Sequence, residues 1–217
     1  ADFRYLPNLT ILRLNHTKLV AIPDFNLPSL TDLYVNYSHL EEVPDFSNLP
    51  KLTYLGLISN ELTNVPNFSN LGDLTILRLS SNKLHQIPNF TNLPNLTNLG
   101  LGYNDLEIVP NFSNLPKLVE LDLSGNQLLT IPNFDGLSTL SELKLQSNTS
   151  LAGAIPANFV TYSLAEFRFN QTQICEPQDI AFQNWLDSID YLVRNNTPCS
   201  NIQPPTAVLE INPSNGE

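Results

Sequence analysis

The sequence is poor in the residues on which most catalytic and nucleic-acid-binding chains depend. Methionine is absent, tryptophan occurs once, and histidine three times in 217 residues. His16, His39 and His85 stand at unrelated places with no Cys, Asp or Glu at metal-ligand spacing. They are read as solvent-facing, and no catalytic group, metal or cofactor is expected. Lys and Arg number 10 against 21 Asp and Glu, giving a net charge of −11. That balance argues against nucleic acid or an anionic membrane surface as a partner. No apolar run is long enough to span a bilayer, so membrane insertion of this segment is not expected. No secretory leader opens the sequence, which is read as a mature chain or a fragment. Cysteine is limited to Cys175 and Cys199.

What the sequence has instead is period. Leu55-x-Leu57-x-x-Asn60, Leu77-x-Leu79-x-x-Asn82, Leu99-x-Leu101-x-x-Asn104, Leu121-x-Leu123-x-x-Asn126 and Leu143-x-Leu145-x-x-Asn148 recur at steps of 22 residues. A further leucine stands three places upstream of each (Leu52, Leu74, Leu96, Leu118, Leu140). The unit L-x-x-L-x-L-x-x-N-x-L resembles that of leucine-rich-repeat proteins, over roughly four fifths of the chain. In each unit the Leu-x-Leu pair reads as a short strand with leucines inward and their neighbours outward. An asparagine amide at the following turn can both donate and accept, and stacked units would align Asn60, Asn82, Asn104, Asn126 and Asn148 as a ladder. The return path, such as Ile87-Pro-Asn-Phe90-Thr-Asn-Leu-Pro94, carries two prolines per unit, which disfavours a long helix. One unit cannot bury both of its faces, so stacking is required. The resemblance therefore implies an α/β solenoid: a right-handed superhelix with one curved parallel sheet, a mostly extended and 3₁₀ convex side, and a C-terminal helical cap.

Along the chain, strands are expected near 12–14, 33–35, 55–57, 77–79, 99–101, 121–123, 143–145 and 167–169, within a repeat array over residues 1–174. The first units are degenerate, with Thr17 and Ser38 at the ladder position. Leu151-Ala-Gly153-Ala-Ile155-Pro156 resembles the turn of plant-type repeats. In residues 175–199, Phe182, Trp185, Leu186, Ile189 and Val193 follow helical spacing after a start at Pro177 and Asp179. This segment resembles the cysteine-bearing C-terminal caps of secreted leucine-rich-repeat proteins. The resemblance implies a Cys175–Cys199 disulfide and a location outside the cytosol. Residues 200–217 read as a Pro-rich linker and a strand similar to the opening of a PKD-type domain.

Two kinds of site are expected. Acceptor sequences for N-glycosylation are numerous, and Asn8, Asn67, Asn89, Asn95, Asn111 and Asn195 are the candidates, with Asn15, Asn36 and Asn170 also matching. Asn148 matches as well but is assigned to the buried ladder. The second is the concave face, where Ile11, Arg13, Tyr34, Tyr54, Ile58, Ile76, Arg78 and Tyr103 form an aromatic and aliphatic surface suited to a partner. Towards the C-terminus Glu120, Asp122, Glu142, Lys144, Glu166 and Arg168 read as a solvated mixed-charge face. The expected function is a non-enzymatic, extracellular or cell-surface adhesion or recognition module that binds a protein or glycan. The alternative is a structural subunit that self-assembles head to tail into a filament, with the 204–217 tail holding a neighbouring copy.

Overall fold

Each repeat places its first leucine at the centre of a three-residue strand. The computed structural model describes residues 6–22 and 26–199. β1 (Ile11–Arg13), β2 (Asp32–Tyr34), β3 (Tyr54–Gly56), β4 (Ile76–Arg78), β5 (Asn98–Gly100), β6 (Glu120–Asp122) and β7 (Glu142–Lys144) pair in sequence order, all parallel. Then come β8 (Ala152–Ala154), a 3₁₀ helix (Ala157–Thr161), β9 (Glu166–Arg168), β10 (Gln173–Cys175), α1 (Ile180–Asp187) and β11 (Tyr191–Val193). The main sheet continues from β7 to β9 and β11. The expected parallel solenoid is what forms.

The strands begin one residue earlier than the leucine pairs suggest. The residue before the first leucine is already bonded to the preceding turn: Tyr54 N donates to Thr31 O at 3.0 Å and Ile76 N to Thr53 O at 3.1 Å. Threonine side chains reinforce this seam, since the hydroxyls of Thr53, Thr75 and Thr97 each donate to the carbonyl of the threonine one turn back.

The core is one continuous column. Leu33, Leu55, Leu77, Leu99, Leu121 and Leu143 are fully or almost fully buried, as are the leucines at the other repeat positions from Leu27 to Leu145, while Leu9, Leu14 and Leu19 of the first turn are half-buried. Phe46, Phe68 and Phe90 stack behind them on the return path, with ring centroids 6.1 and 6.3 Å apart. Burial of such side chains, at about 1.5–3 kcal/mol each, holds the turns together.

The asparagine positions fasten each turn to the one before. Asn104 Nδ2 donates to Leu101 O in its own turn (3.0 Å) and to Leu79 O in the previous one (3.1 Å), while its Oδ1 accepts from Leu84 N (3.1 Å). Asn60, Asn82, Asn126 and Asn148 make the same two donations, and their Oδ1 atoms accept from Leu40, Leu62, Leu106 and Leu128 N. The residue before each ladder position takes the left-handed conformation, from His16 (φ 55°) through Tyr103 (56°) and Gly125 (60°) to Asn196 (55°).

The C-terminal region departs from expectation in three ways. The helix stops at Asp187, so Val193, placed on it by spacing, lies instead in β11, which adds a ninth strand to the sheet. Residues 175–199 thus continue the sheet as well as covering its end. A second parallel sheet of β8 and β10 forms on the flank, where Gly153 adopts φ 118°. Helix α1 opens on Asp179, whose carboxylate accepts from Phe182 N at 2.9 Å, and it buries Phe182, Trp185 and Leu186. Trp185 donates Nε1–H to Tyr162 O at 2.9 Å and packs against Phe159 and Phe167. Cys175 and Cys199 form a disulfide with Cα atoms 4.8 Å apart. The buried Glu176 beside it accepts from Arg194 Nη1 (3.2 Å) and Asn196 N (3.0 Å), fastening the return of the chain. The 200–217 linker and strand, and the 204–217 contact, lie outside the described residues.

Candidate functional site

The pairing register builds the concave face as two columns. One runs Ile11, Asp32, Tyr54, Ile76, Asn98, Glu120, Glu142, Glu166, Tyr191; the other runs Arg13, Tyr34, Gly56, Arg78, Gly100, Asp122, Lys144, Arg168, Val193. Between them the leucines turn inward.

The two halves of this face differ in chemistry. Towards the N-terminus Arg13 lies over the ring of Tyr34 (4.6 Å to its centre), and Tyr34 stacks on Tyr54 at 4.4 Å. Tyr54 fills the space a side chain at Gly56 would take, since a Cβ there would come within 2.9 Å of its ring. Burial, with a smaller contribution from Tyr34, raises the Tyr54 hydroxyl pKa, against the pull of Arg78. Ile58 and Ile76 are half-buried beside these rings, and Ile11 is exposed at the edge.

From Arg78 onward the face is closed on itself. Arg78 crosses Gly100 and donates from Nη1 and Nη2 to Glu120 Oε1 and Oε2, at 3.1 and 3.0 Å. Asn98 Nδ2 donates to Glu120 Oε2 at 2.6 Å, and Lys144 Nζ to Glu120 Oε1 at 3.3 Å. Lys144 also pairs with Glu142 and Glu166, Glu166 with Arg168, and Arg168 lies over the ring of Tyr191 at 4.5 Å. Burial opposes ionisation of Glu120, but the bonds from Arg78 and Asn98 and the charges of Arg78 and Lys144 prevail, holding its pKa at about 2.

Two features differ from the sequence reading. Arg78, expected among the concave binding residues, is one arm of a bidentate, half-buried ion pair with Glu120. Glu120, Glu142, Lys144, Glu166 and Arg168, expected as a solvated face, are linked to one another, while Asp122 accepts from Ser124. The sequence signal for this was Gly100, a gap in the column between two long charged side chains. Asn36, read from the sequence only as a glycosylation match, accepts through Oδ1 from Ile58 N at 2.8 Å, and His16, read as solvent-facing, stacks at 4.8 Å on the rim residue Tyr37, which sequence reasoning missed.

Tyr103 stands on that rim, 60% exposed. Among the glycosylation candidates, Asn8, Asn67, Asn89 and Asn111 are exposed. Asn95 donates Nδ2–H to Gly72 O, and Asn195 donates to Thr172 O and Oγ1. Asn148 is fully buried. Of the histidines, His39 pairs with Glu61 at 2.9 Å. Among the described residues no group of His, Cys, Asp and Glu could hold a metal ion, and no helix is long and apolar enough to cross a membrane.

No curated protein matches the chain at a significant level. The family description "Leucine rich repeat" matches residues 7–62, and "Leucine Rich repeats (2 copies)" matches residues 94–138. Among solved structures, the plant peptide hormone receptor RGFR1 in complex with RGF2 is similar at 27% identity and TM-score 0.71, over 85% of this chain and 32% of that one. An internalin from Listeria monocytogenes is similar at 25% identity and TM-score 0.66, over 79% of this chain and 50% of that one. TLR13 in complex with ssRNA13 is similar at 26% identity and TM-score 0.64, over 79% of this chain and 26% of that one. The chain thus spans between about a quarter and a half of the length of these structures. With the repeat matches, the parallel solenoid and these neighbours in agreement, the chain carries leucine-rich repeats, stacked as a parallel solenoid.

Proposed function

We propose that the chain is a non-enzymatic recognition or adhesion module, extracellular or at the cell surface, that holds a protein or glycan partner on the N-terminal half of its concave face. The observation that carries this is the asymmetry of the sheet. Arg13, Tyr34, Tyr54, Ile58 and Ile76 offer aromatic and aliphatic surface, whereas Arg78, Glu120, Glu142, Lys144, Glu166 and Arg168 are engaged with one another. Rigid aromatic side chains bring contact area at low entropic cost, and aromatic and Arg residues are enriched at interface centres. The Cys175–Cys199 disulfide supports an oxidising location. The peptide-hormone receptor among its structural neighbours supports a recognition role.

The test is binding of the purified chain to a panel of extracellular-matrix proteins and glycans, beside Tyr34→Ala/Tyr54→Ala. The double variant is expected to lose affinity at least tenfold. Equal affinity of the two proteins would move the site off this face.

A second reading, head-to-tail self-association, is favoured by one feature. Leu6 and Ile11 are 45% and 43% exposed beside β1, whose outer edge carries no strand among the described residues. An open edge of this kind accepts an added strand. Light scattering at rising concentration tests it: a constant monomer mass rejects self-association.

A further inference from the structure

The position before each ladder residue requires a left-handed backbone, which glycine and asparagine tolerate and bulky side chains do not. Later turns use Gly125, Ser147, Gln171 and Asn196 there. Two turns instead hold tyrosine, Tyr37 at φ 54° and Tyr103 at φ 56°, and both side chains are more than half exposed. Backbone strain retained at an exposed site is a mark of function more than of packing. Each ring is also braced from one side. Tyr37 stacks parallel to His16, and Tyr103 covers Gly125, where a Cβ would come within 2.7 Å of the ring.

Between the two tyrosines lie two turns with small residues. Ser59 and Ser81 occupy the rim position, with Ile58 and Ser80 next to them. The side-chain hydroxyls of Ser59, Ser80 and Ser81 have no hydrogen-bond partner among the described residues. Further along the same rows the hydroxyls are engaged: Ser124 donates to Asp122 Oδ1 and Ser147 to Gln171 Oε1. Three steps of about 4.7–4.9 Å separate Tyr37 from Tyr103. The result is a shallow trough about 14 Å long, walled by two braced aromatic rings and floored by free hydroxyls.

We infer that this trough takes a neutral oligosaccharide chain, an assignment that rests on the recognition reading above. Sugar rings present C–H faces that settle on aromatic rings and hydroxyls that bond with serine. The spacing suits several linked sugars and exceeds one. An anionic chain is disfavoured by the net charge of −11, and Arg78, on the strand that leads to Ser80 and Ser81, is closed onto Glu120.

The experiment is native affinity electrophoresis of the full chain through gels containing xyloglucan, galactomannan, a mixed-linkage β-glucan or, as the anionic comparison, hyaluronan. The variants are Tyr37→Asn/Tyr103→Asn, which keeps residues that accept the left-handed backbone, and Ile108→Asn, an exposed apolar control elsewhere. Circular dichroism melts establish that each variant is folded. At least one neutral polysaccharide is expected to retard the wild type and Ile108→Asn equally, with retardation at least tenfold weaker for the double tyrosine variant. Absence of retardation by every neutral polysaccharide, stronger retardation by hyaluronan, or equal retardation of the double tyrosine variant overturns the assignment. Binding of a protein through Tyr34 and Tyr54, with no saccharide retarding the chain, would leave the recognition reading standing and remove the saccharide. Saccharide retardation lost in Tyr37→Asn/Tyr103→Asn and kept in Tyr34→Ala/Tyr54→Ala would sustain the trough and displace the central face.

Discussion

Arg78 and Glu120 are 42 residues apart in sequence and two strands apart in the sheet, and they meet only because Gly100 on the strand between them has no side chain. A Cβ at Gly100 would stand 3.1 Å from Arg78 Cδ and 3.4 Å from Nη1. The glycine is a passage for the guanidinium, and φ at this position is not left-handed.

Gly100→Val is accordingly expected to destabilise the fold by about 1–3 kcal/mol, by displacing Arg78 from Glu120. In an Arg78→Ala background the same substitution should cost clearly less, because no guanidinium remains to displace. Urea unfolding of the four proteins measures the coupling. Additive effects would show that Arg78 and Gly100 do not act through one contact.

The same pair sets an acid dependence. Glu120 is held at about 2 against an ordinary value of 4.5, so its charged form is favoured by folding. The stability this contributes is fully present above pH 4.5 and is lost as pH falls towards 2. After allowance for solvent screening the loss should be on the order of 1–3 kcal/mol. Glu120→Gln should be less stable than wild type at pH 7 and should lose less between pH 4.5 and pH 2. Parallel pH profiles for the two proteins would remove Glu120 from the cause.

The contrast between ladder and clasp shows what the amino-acid order could reveal. Asn60 to Asn148 recur at one spacing with one local environment, so a single unit explains all five, and the parallel solenoid follows from the same period. Arg78, Asn98, Glu120 and Lys144 differ from turn to turn, and their meeting depends on which long side chain leans across which small one. No period records that. The helix end was hidden for a related reason: Ile189 and Val193 continue the apolar spacing, but the sheet offers Tyr191–Val193 a strand partner in β9 that local sequence does not show. Tyr37 escaped notice because the strain that marks it is a backbone property.

The cap gives a stability prediction with a large expected effect. Trp185 is buried among Phe159, Phe167 and Phe182, and its indole N–H is bonded to Tyr162 O. Trp185→Ala should cost about 3–5 kcal/mol by leaving a cavity and an unpaired carbonyl. Trp185→Phe, which keeps most of the ring but not the N–H, should cost much less. Thermal melts of the oxidised proteins decide it: a loss below 1 kcal/mol for the alanine variant would mean that α1 does not close the last turn.

Glycosylation, where a secreting eukaryotic host supplies it, should follow the amide hydrogens. Oligosaccharide transfer replaces one hydrogen on Asn Nδ2, so an amide already donating twice into the fold is a poor acceptor once folded. Asn148 Nδ2 donates to Leu123 O and Leu145 O, both at 2.9 Å, and is fully buried. Asn195 Nδ2 makes two donations to Thr172, and Asn95 Nδ2 one to Gly72 O. Asn67 and Asn111 are exposed and use only Oδ1, accepting from Ser69 N and Ser113 N; Asn89 is exposed and accepts from Asn114 Nδ2. These three sit on successive coils about 4.7–4.9 Å apart, too close for three neighbouring glycans to be accommodated with ease. Occupancy is therefore expected at Asn8 and at one or two of Asn67, Asn89 and Asn111, with Asn148 unmodified. Intact-mass measurement followed by peptide mapping reads both statements. A single unmodified mass rejects the first, and a glycan on Asn148 of the folded protein rejects the second.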